Sequence, residues 1–155
     1  PPGTTCEHLI SLGDLLATCA DLTDLPLRPD EPLDSVSFLP LLQGQTDRPV
    51  RDSLVHHSAS GRFAVRQGDW VLIDARSGDD NGRNGEPEWF KRERGYRPHD
   101  APGELFNLRE DPQERTNHYA AQADRVQAML ALIADVRRGA NAQGRAPTPS
   151  AWMSE

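Results

Sequence analysis

The sequence predicts an α+β fold: a small four-stranded antiparallel sheet packed against a C-terminal helix and preceded by another helix. Three observations predict it. Three short runs, rich in β-branched and aromatic residues, stand close together between 53 and 73 with turn residues between them. A fourth run, Leu105-Phe106-Asn107-Leu108, follows a long irregular stretch. Beyond it Tyr119, Val126, Met129, Leu130, Ile133 and Val136 fall on one helical stripe. An antiparallel sheet with a helix on one face is the simplest arrangement that buries both patterns.

The first helix is expected over about 12–23. Ser11 with Asp14 three positions on is a helix start, and Leu12, Leu15, Leu16, Cys19 and Leu22 recur at helical spacing. Pro26 and Pro29 mark its exit. A Pro-rich, acidic loop follows. Ser35 is then placed to cap a short helical turn over 35–43, through Phe38, Leu39, Leu41 and Leu42 and ended by Gly44. Residues 45–52 read as a polar connector.

The strands are expected at 53–58, 63–66 and 70–73. Ala59-Ser60-Gly61 supplies the first turn and Gln67-Gly68 the second, whose two-residue length suits a tight hairpin. Alternation places Phe63 and Val65 on one face, Ala64 and Arg66 on the other. Residues 74–103 show no periodicity and are punctuated by Gly78, Gly82, Gly85, Gly95 and Gly103, so a long loop is expected there. Trp89, Phe90 and Tyr96 within it argue that part of it packs. A strand at 104–108 and a turn at Asp111-Pro112 come next, with a rigid clasp in which Glu114 and Asn117 tie down backbone donors. The last helix is expected over about 118–138, with Arg137 and Arg138 near its end and Gly139 just after. Residues 140–155 are expected to be a flexible tail. The division that follows is 1–44, 45–139 and the tail.

Composition narrows the function classes. The 155 residues hold 17 basic and 24 acidic side chains, a net charge of -7. A whole-chain attraction to nucleic acid or to anionic lipid is therefore excluded. No apolar run approaches the ~20 residues of a membrane helix. Pro and Gly are abundant, at 13 and 12, in keeping with the loop content, and mean hydropathy is -0.67. Lys91 is the only lysine, and arginine supplies the remaining basic charge. The chain opens Pro1-Pro2-Gly3 rather than with Met, which leads us to expect a piece of a longer protein.

Chemical constellations are sparse. Cys6 and Cys19 lack CxxC spacing, so a zinc ribbon or thioredoxin motif is not expected. His8, His56, His57, His99 and His118 show no paired spacing for a zincin-type helix. Asp79-Asp80-Asn81 with Glu86 misses the calcium-loop positions and reads as a solvated turn. Ser58 beside His57 has no glycine elbow around it, and no phosphate-cradling glycine loop is present. The candidate site is therefore His56, His57 and Arg62. In a strand the two histidines point to opposite faces, and one of them with Arg62 forms a hydrogen-bonding rim suited to an oxyanion. The competing reading is one core and one surface histidine.

Five segments taken in order resemble formylglycine-dependent sulfatases. Leu9-Ile10-Ser11-Leu12-Gly13-Asp14-Leu15-Leu16-Ala17-Thr18 is similar to their vs-x-x-Dl-x-x-T segment, and Asp34 to Gly44 is similar to DS-x-S-x-LP-x-L-x-G. Val55-His56-His57-Ser58, Gly61 to Arg66 and Gly68 to Ile73 resemble the hairpin vhHS…G-x-fAiR-x-GdwKLI, with Val71 where lysine is usual. Glu104 to Leu108, Asp111 to Glu114 and Asn117 resemble the closing eLYnL-x-x-DP-x-E-x-x-N signature.

The resemblance implies the C-terminal region of an arylsulfatase-like enzyme that hydrolyses sulfate esters. It assigns 1–44, with its first helix, to the tail end of the large α/β domain, and 45–139 to the C-terminal subdomain. The formylglycine, the calcium and the catalytic residues are expected in the missing N-terminal half, since neither Cys6-Glu7-His8 nor Cys19-Ala20-Asp21 fits Cys-x-Pro/Ser-x-Arg. No catalytic residue, metal ligand or cofactor is thus expected in this chain, which is expected to be inactive alone. His56, His57 and Arg62 are candidates for the substrate mouth. The implied partners are the rest of the same sulfatase chain and a sulfated small-molecule or carbohydrate substrate. The resemblance is compatible with an exported or periplasmic parent. Two alternatives compete: a stand-alone binding module with this fold, and a small metal-dependent hydrolase using the histidines.

Overall fold

The computed structural model describes residues 3–27, 34–78 and 85–139. The expected flexible tail at 140–155 and the Asp79-Asp80-Asn81 turn lie outside the described residues. The element order is a 3-10 turn (Leu12–Asp14), α1 (Leu15–Leu22), α2 (Leu39–Leu42), β1 (Ser53–His57), β2 (Phe63–Gln67), β3 (Trp70–Ile73), α3 (Glu88–Arg94), β4 (Glu104–Asn107) and α4 (Ala123–Arg137). The strands form one antiparallel sheet in the order β1-β2-β3-β4. The fold is α+β, as the sequence predicts. The chain divides into two compact units, one up to Leu54 together with the chain from Asp135, the other Val55–Ala134.

In the first unit the Ser11/Asp14 capping box forms as expected, but on a 3-10 turn that leads into α1. The Asp14 carboxylate is fully buried and accepts from the backbone N–H of Ser11 at 2.8 Å and of Val36 at 2.9 Å. Arg51 closes the set, donating Nε to Asp14 at 3.1 Å and Nη2 both to Asp14 and to the Asp34 carbonyl. Ser35 does not cap α2. Its hydroxyl instead accepts from Ala17 N–H at 3.0 Å and donates to the Gly13 carbonyl at 2.7 Å. The Thr18 hydroxyl donates to the Asp14 carbonyl and accepts from Phe38 N–H. A buried carboxylate is costly without partners, and here it organises three chain segments. Helix α1 buries Ala17, Thr18 and Ala20 and leaves its leucines in solvent.

In the second unit the sheet is built on a tight β2–β3 hairpin with Gln67 opposite Trp70. The two turn residues are Gly68-Asp69, one position later than the sequence suggests. Gly68 takes a φ of 58°, which its missing Cβ permits. Register aligns Val65, Leu72 and Leu105 across three strands on one face. That face meets Val126, Met129 and Ile133 of α4, and these six form the core. Phe63, Trp70 and Tyr119 pack at its margin. The opposite face, with Ala64, Val71 and Phe106, is buried too.

Three expectations change here. The stretch 74–103 is not uniformly loop, because α3 forms in it between Pro87 and a left-handed Gly95. Helix α4 begins at Ala123 rather than near 118, and Tyr119 sits in the preceding turn. The clasp is real but Glu114 is not its tie. Asp111 accepts from the N–H groups of Arg115 at 2.6 Å and Thr116 at 2.8 Å. Asn117 accepts from Leu105 and Tyr119 N–H, both at 2.9 Å, and donates to the Gly103 carbonyl at 3.0 Å. His118 N–H donates to the Leu105 carbonyl. The outer edge of β4 is thus paired by a side chain and a turn rather than by another strand. Gly103 is required there, since a Cβ would lie 2.4 Å from the Tyr119 ring.

Candidate functional site

The end of β1 and the β1–β2 turn bring His56, His57 and Arg62 into one short stretch of backbone. Both histidines are exposed and Arg62 is half-buried. Ser58 and Arg62 close the turn, with Ser58 N–H donating to the Arg62 carbonyl at 2.9 Å and Arg62 N–H donating to Ser58 Oγ at 3.2 Å. His57 Nδ1 donates to the Ser58 carbonyl at 2.9 Å, and its ring lies 5.5 Å from that of Phe63. In the neutral ring this leaves Nε2 as the acceptor. Partial burial, and then the neighbouring His57 charge, hold His56 below the ordinary imidazole range. Arg62 Nη1 donates to the Ser77 carbonyl at 3.1 Å, bracing the turn against the chain that leaves β3. In the neutral His57 ring the free nitrogen accepts rather than donates, so that ring offers no hydrogen bond to an anion.

A second cluster lies behind β4 and was not foreseen. Glu104 opens that strand and is only 2% exposed. Its carboxylate accepts from Gly78 N–H at 2.5 Å and from His99 Nε2 at 3.0 Å. His99 Nδ1, also buried, has no hydrogen-bond partner among the described residues. Burial and the Glu104 charge push the Tyr96 phenol up. The two Glu104 contacts tie Gly78 and His99 to the start of β4. An acidic residue at the start of a strand reads as solvent-facing in sequence, so no periodicity could reveal this one.

Neither cysteine is paired and both are exposed. Among the described residues no three His, Cys, Asp or Glu side chains assemble as a metal-binding group. No helix among the described residues is long and apolar enough to cross a membrane.

No protein-family model and no curated protein matches the chain. Solved structures do. One is a Bacteroides thetaiotaomicron sulfatase, from work on the metabolism of multiple glycosaminoglycans by that organism. It is 24% identical with a TM-score of 0.62, over 80% of this chain and 24% of that one. The likeness establishes a fold shared with part of a sulfatase, and the chain spans about a quarter of that protein's length.

Proposed function

We propose that this chain is the C-terminal subdomain of a sulfatase that hydrolyses sulfate esters, arylsulfatase-like in type. The observation that carries the reading is the fold shared with a sulfatase over most of this chain and a small part of the other. In this reading the catalytic half, with its formylglycine and calcium, lies in the remainder of the protein. The present residues complete the fold and shape the substrate mouth, where His56, His57 and Arg62 meet a sulfated small molecule or carbohydrate.

The surface of α1 supports it. Leu12 is 87% exposed, Leu22 66% and Leu16 52%, and Leu15 and Leu25 add to the same segment. Contiguous apolar surface of this kind marks an interaction site, and the rest of the sulfatase is the occupant proposed.

Aryl sulfate hydrolysis by the isolated chain tests the reading. No turnover is expected, with or without calcium. Robust turnover in a preparation free of contaminating sulfatase overturns it. The coding sequence upstream of Pro1 is the companion test. A long reading frame with a Cys-x-Pro/Ser-x-Arg segment is expected, whereas a start codon immediately before Pro1 would make the chain a free-standing module.

A further inference from the structure

Helix α3 and the turn after it carry a charge pattern unlike the rest of the chain. Residues 91–97 read Lys-Arg-Glu-Arg-Gly-Tyr-Arg, four cations and one acid in a protein of net charge -7. A groove of about 460 Å³ runs along this segment, lined by Glu88, Lys91, Arg92, Gly95, Tyr96 and Pro98. Arg92 and Arg97 are exposed. Lys91 lies 3.4 Å from Glu88 on the exposed side of the helix.

The half-buried Tyr96 ring lines the groove, with the His99 ring 6.3 Å away. The Arg94 guanidinium lies 4.9 Å from the Tyr96 ring centroid. Arg94 is itself fixed by Glu86, at 3.1 Å through Nε and 2.8 Å through Nη2. A preorganised aromatic ring gives contact area at low entropic cost, and flanking cations give charge-assisted hydrogen bonds. Exposed Trp89 and Phe90 extend the aromatic surface along the same helix.

We infer that the groove along α3 binds an anionic saccharide chain, a sugar ring resting on Tyr96 and its sulfate groups on Lys91, Arg92 and Arg97. The choice of sulfate as the anion rests on the sulfatase reading, while the groove itself does not. A nucleic acid offers the same charge and stacking, but the fold shared with part of a sulfatase favours the sulfated saccharide, and DNA serves as the comparison probe.

Isothermal titration of the full chain with a size-defined heparin oligosaccharide tests the inference. Its desulfated counterpart and a single-stranded DNA of equal charge serve as comparison probes. Binding of the sulfated probe is expected, weakening with added salt. Arg92→Ala should weaken it about tenfold, as expected for one charge-assisted contact. Arg125→Ala, an exposed cation on α4, should leave it unchanged, whereas Tyr96→Ala, which removes the ring, should weaken it. Equal binding of the desulfated probe or the DNA overturns the inference, as does no binding or an Arg92→Ala variant that binds normally. The assay needs no turnover. Binding, together with a start codon immediately before Pro1, leaves the groove standing and removes the sulfatase reading, while a Cys-x-Pro/Ser-x-Arg segment upstream with no binding here removes the groove alone.

Discussion

Asp14 and Arg51, 37 positions apart in sequence, form a buried ion pair in which both guanidinium Nε and Nη2 reach the carboxylate. Side-chain exposure is 5% for the arginine and 0% for the aspartate. Removing one member strands the other in a poorly solvated site. Arg51→Met is therefore expected to cost about 3–5 kcal/mol of stability. Urea denaturation measures it. The double variant Asp14→Leu/Arg51→Met should lose less than the two single losses added together.

Asn117 is the second tie to test. Its amide satisfies two N–H donors and one carbonyl around β4. Asn117→Ala is expected to destabilise by about 2–3 kcal/mol, the cost of leaving buried backbone groups unpaired. Hydrogen exchange should accelerate at Leu105 and Tyr119. Unchanged protection at both amides would show that the side chain carries no such role.

His56 sets a pH dependence with a definite sign. Its folded pKa lies below the ordinary 6.5, first through burial and then through His57. Below that pH the unfolded chain takes up the proton more readily, so stability falls as pH drops through 6.5 toward the folded value. His56→Gln should flatten that slope. In His57→Gln the NMR titration of His56 should move up while staying below the ordinary value.

Glu114 has the opposite sign. Burial raises its carboxyl, Arg94 partly offsets this, and Glu104, Asp111 and Glu86 raise it further. A raised folded pKa contributes stability below about 4.5 that is lost as pH rises through the folded value. Glu114→Gln should therefore stabilise the protein at neutral pH relative to acid. The residue also holds a φ of 54°. Glu114→Gly should add about 1 kcal/mol more by relieving that conformation. Thermal melts at acid and neutral pH separate the two effects.

Much of the fold was legible where pattern and partner are close in sequence. The β2–β3 hairpin, the α4 stripe and the Ser11 capping box are local, and each was readable to within a residue or a turn. Asp14, Thr18 and Ser35 were visible as motif letters, but their work was hidden because their partners Val36, Phe38 and Arg51 lie far along the chain. Helix α3 escaped notice for another reason. Its apolar residues Trp89 and Phe90 are adjacent and make no helical stripe, though Pro87, Glu88, the late Lys91, Arg92 and Arg94, and Gly95 were all terminus signals. Of the candidate site, His56 and His57 follow from strand alternation and Arg62 from its place on the following turn, whereas Arg62's bond to Ser77 depends on the chain returning past the turn. Glu104 and His99 gave no signal, since burial of a carboxylate is decided by what folds over it.

Ile73 pairs with Glu104, so β3 and β4 are neighbours in the sheet although residues 74–103, with α3 among them, separate them in the chain. The hairpin can close in microseconds, but β4 must first find its place across that loop. Assembly is thus expected to have two tempos, with α4 unable to bury Met129 until Leu105 has arrived beside Leu72. Closure entropy grows only slowly with length, by about 0.6 kcal/mol for each doubling. Between Gly78 and His99, whose bonds to Glu104 must be kept, the chain can therefore lengthen with little thermodynamic penalty, the change being felt in the folding rate.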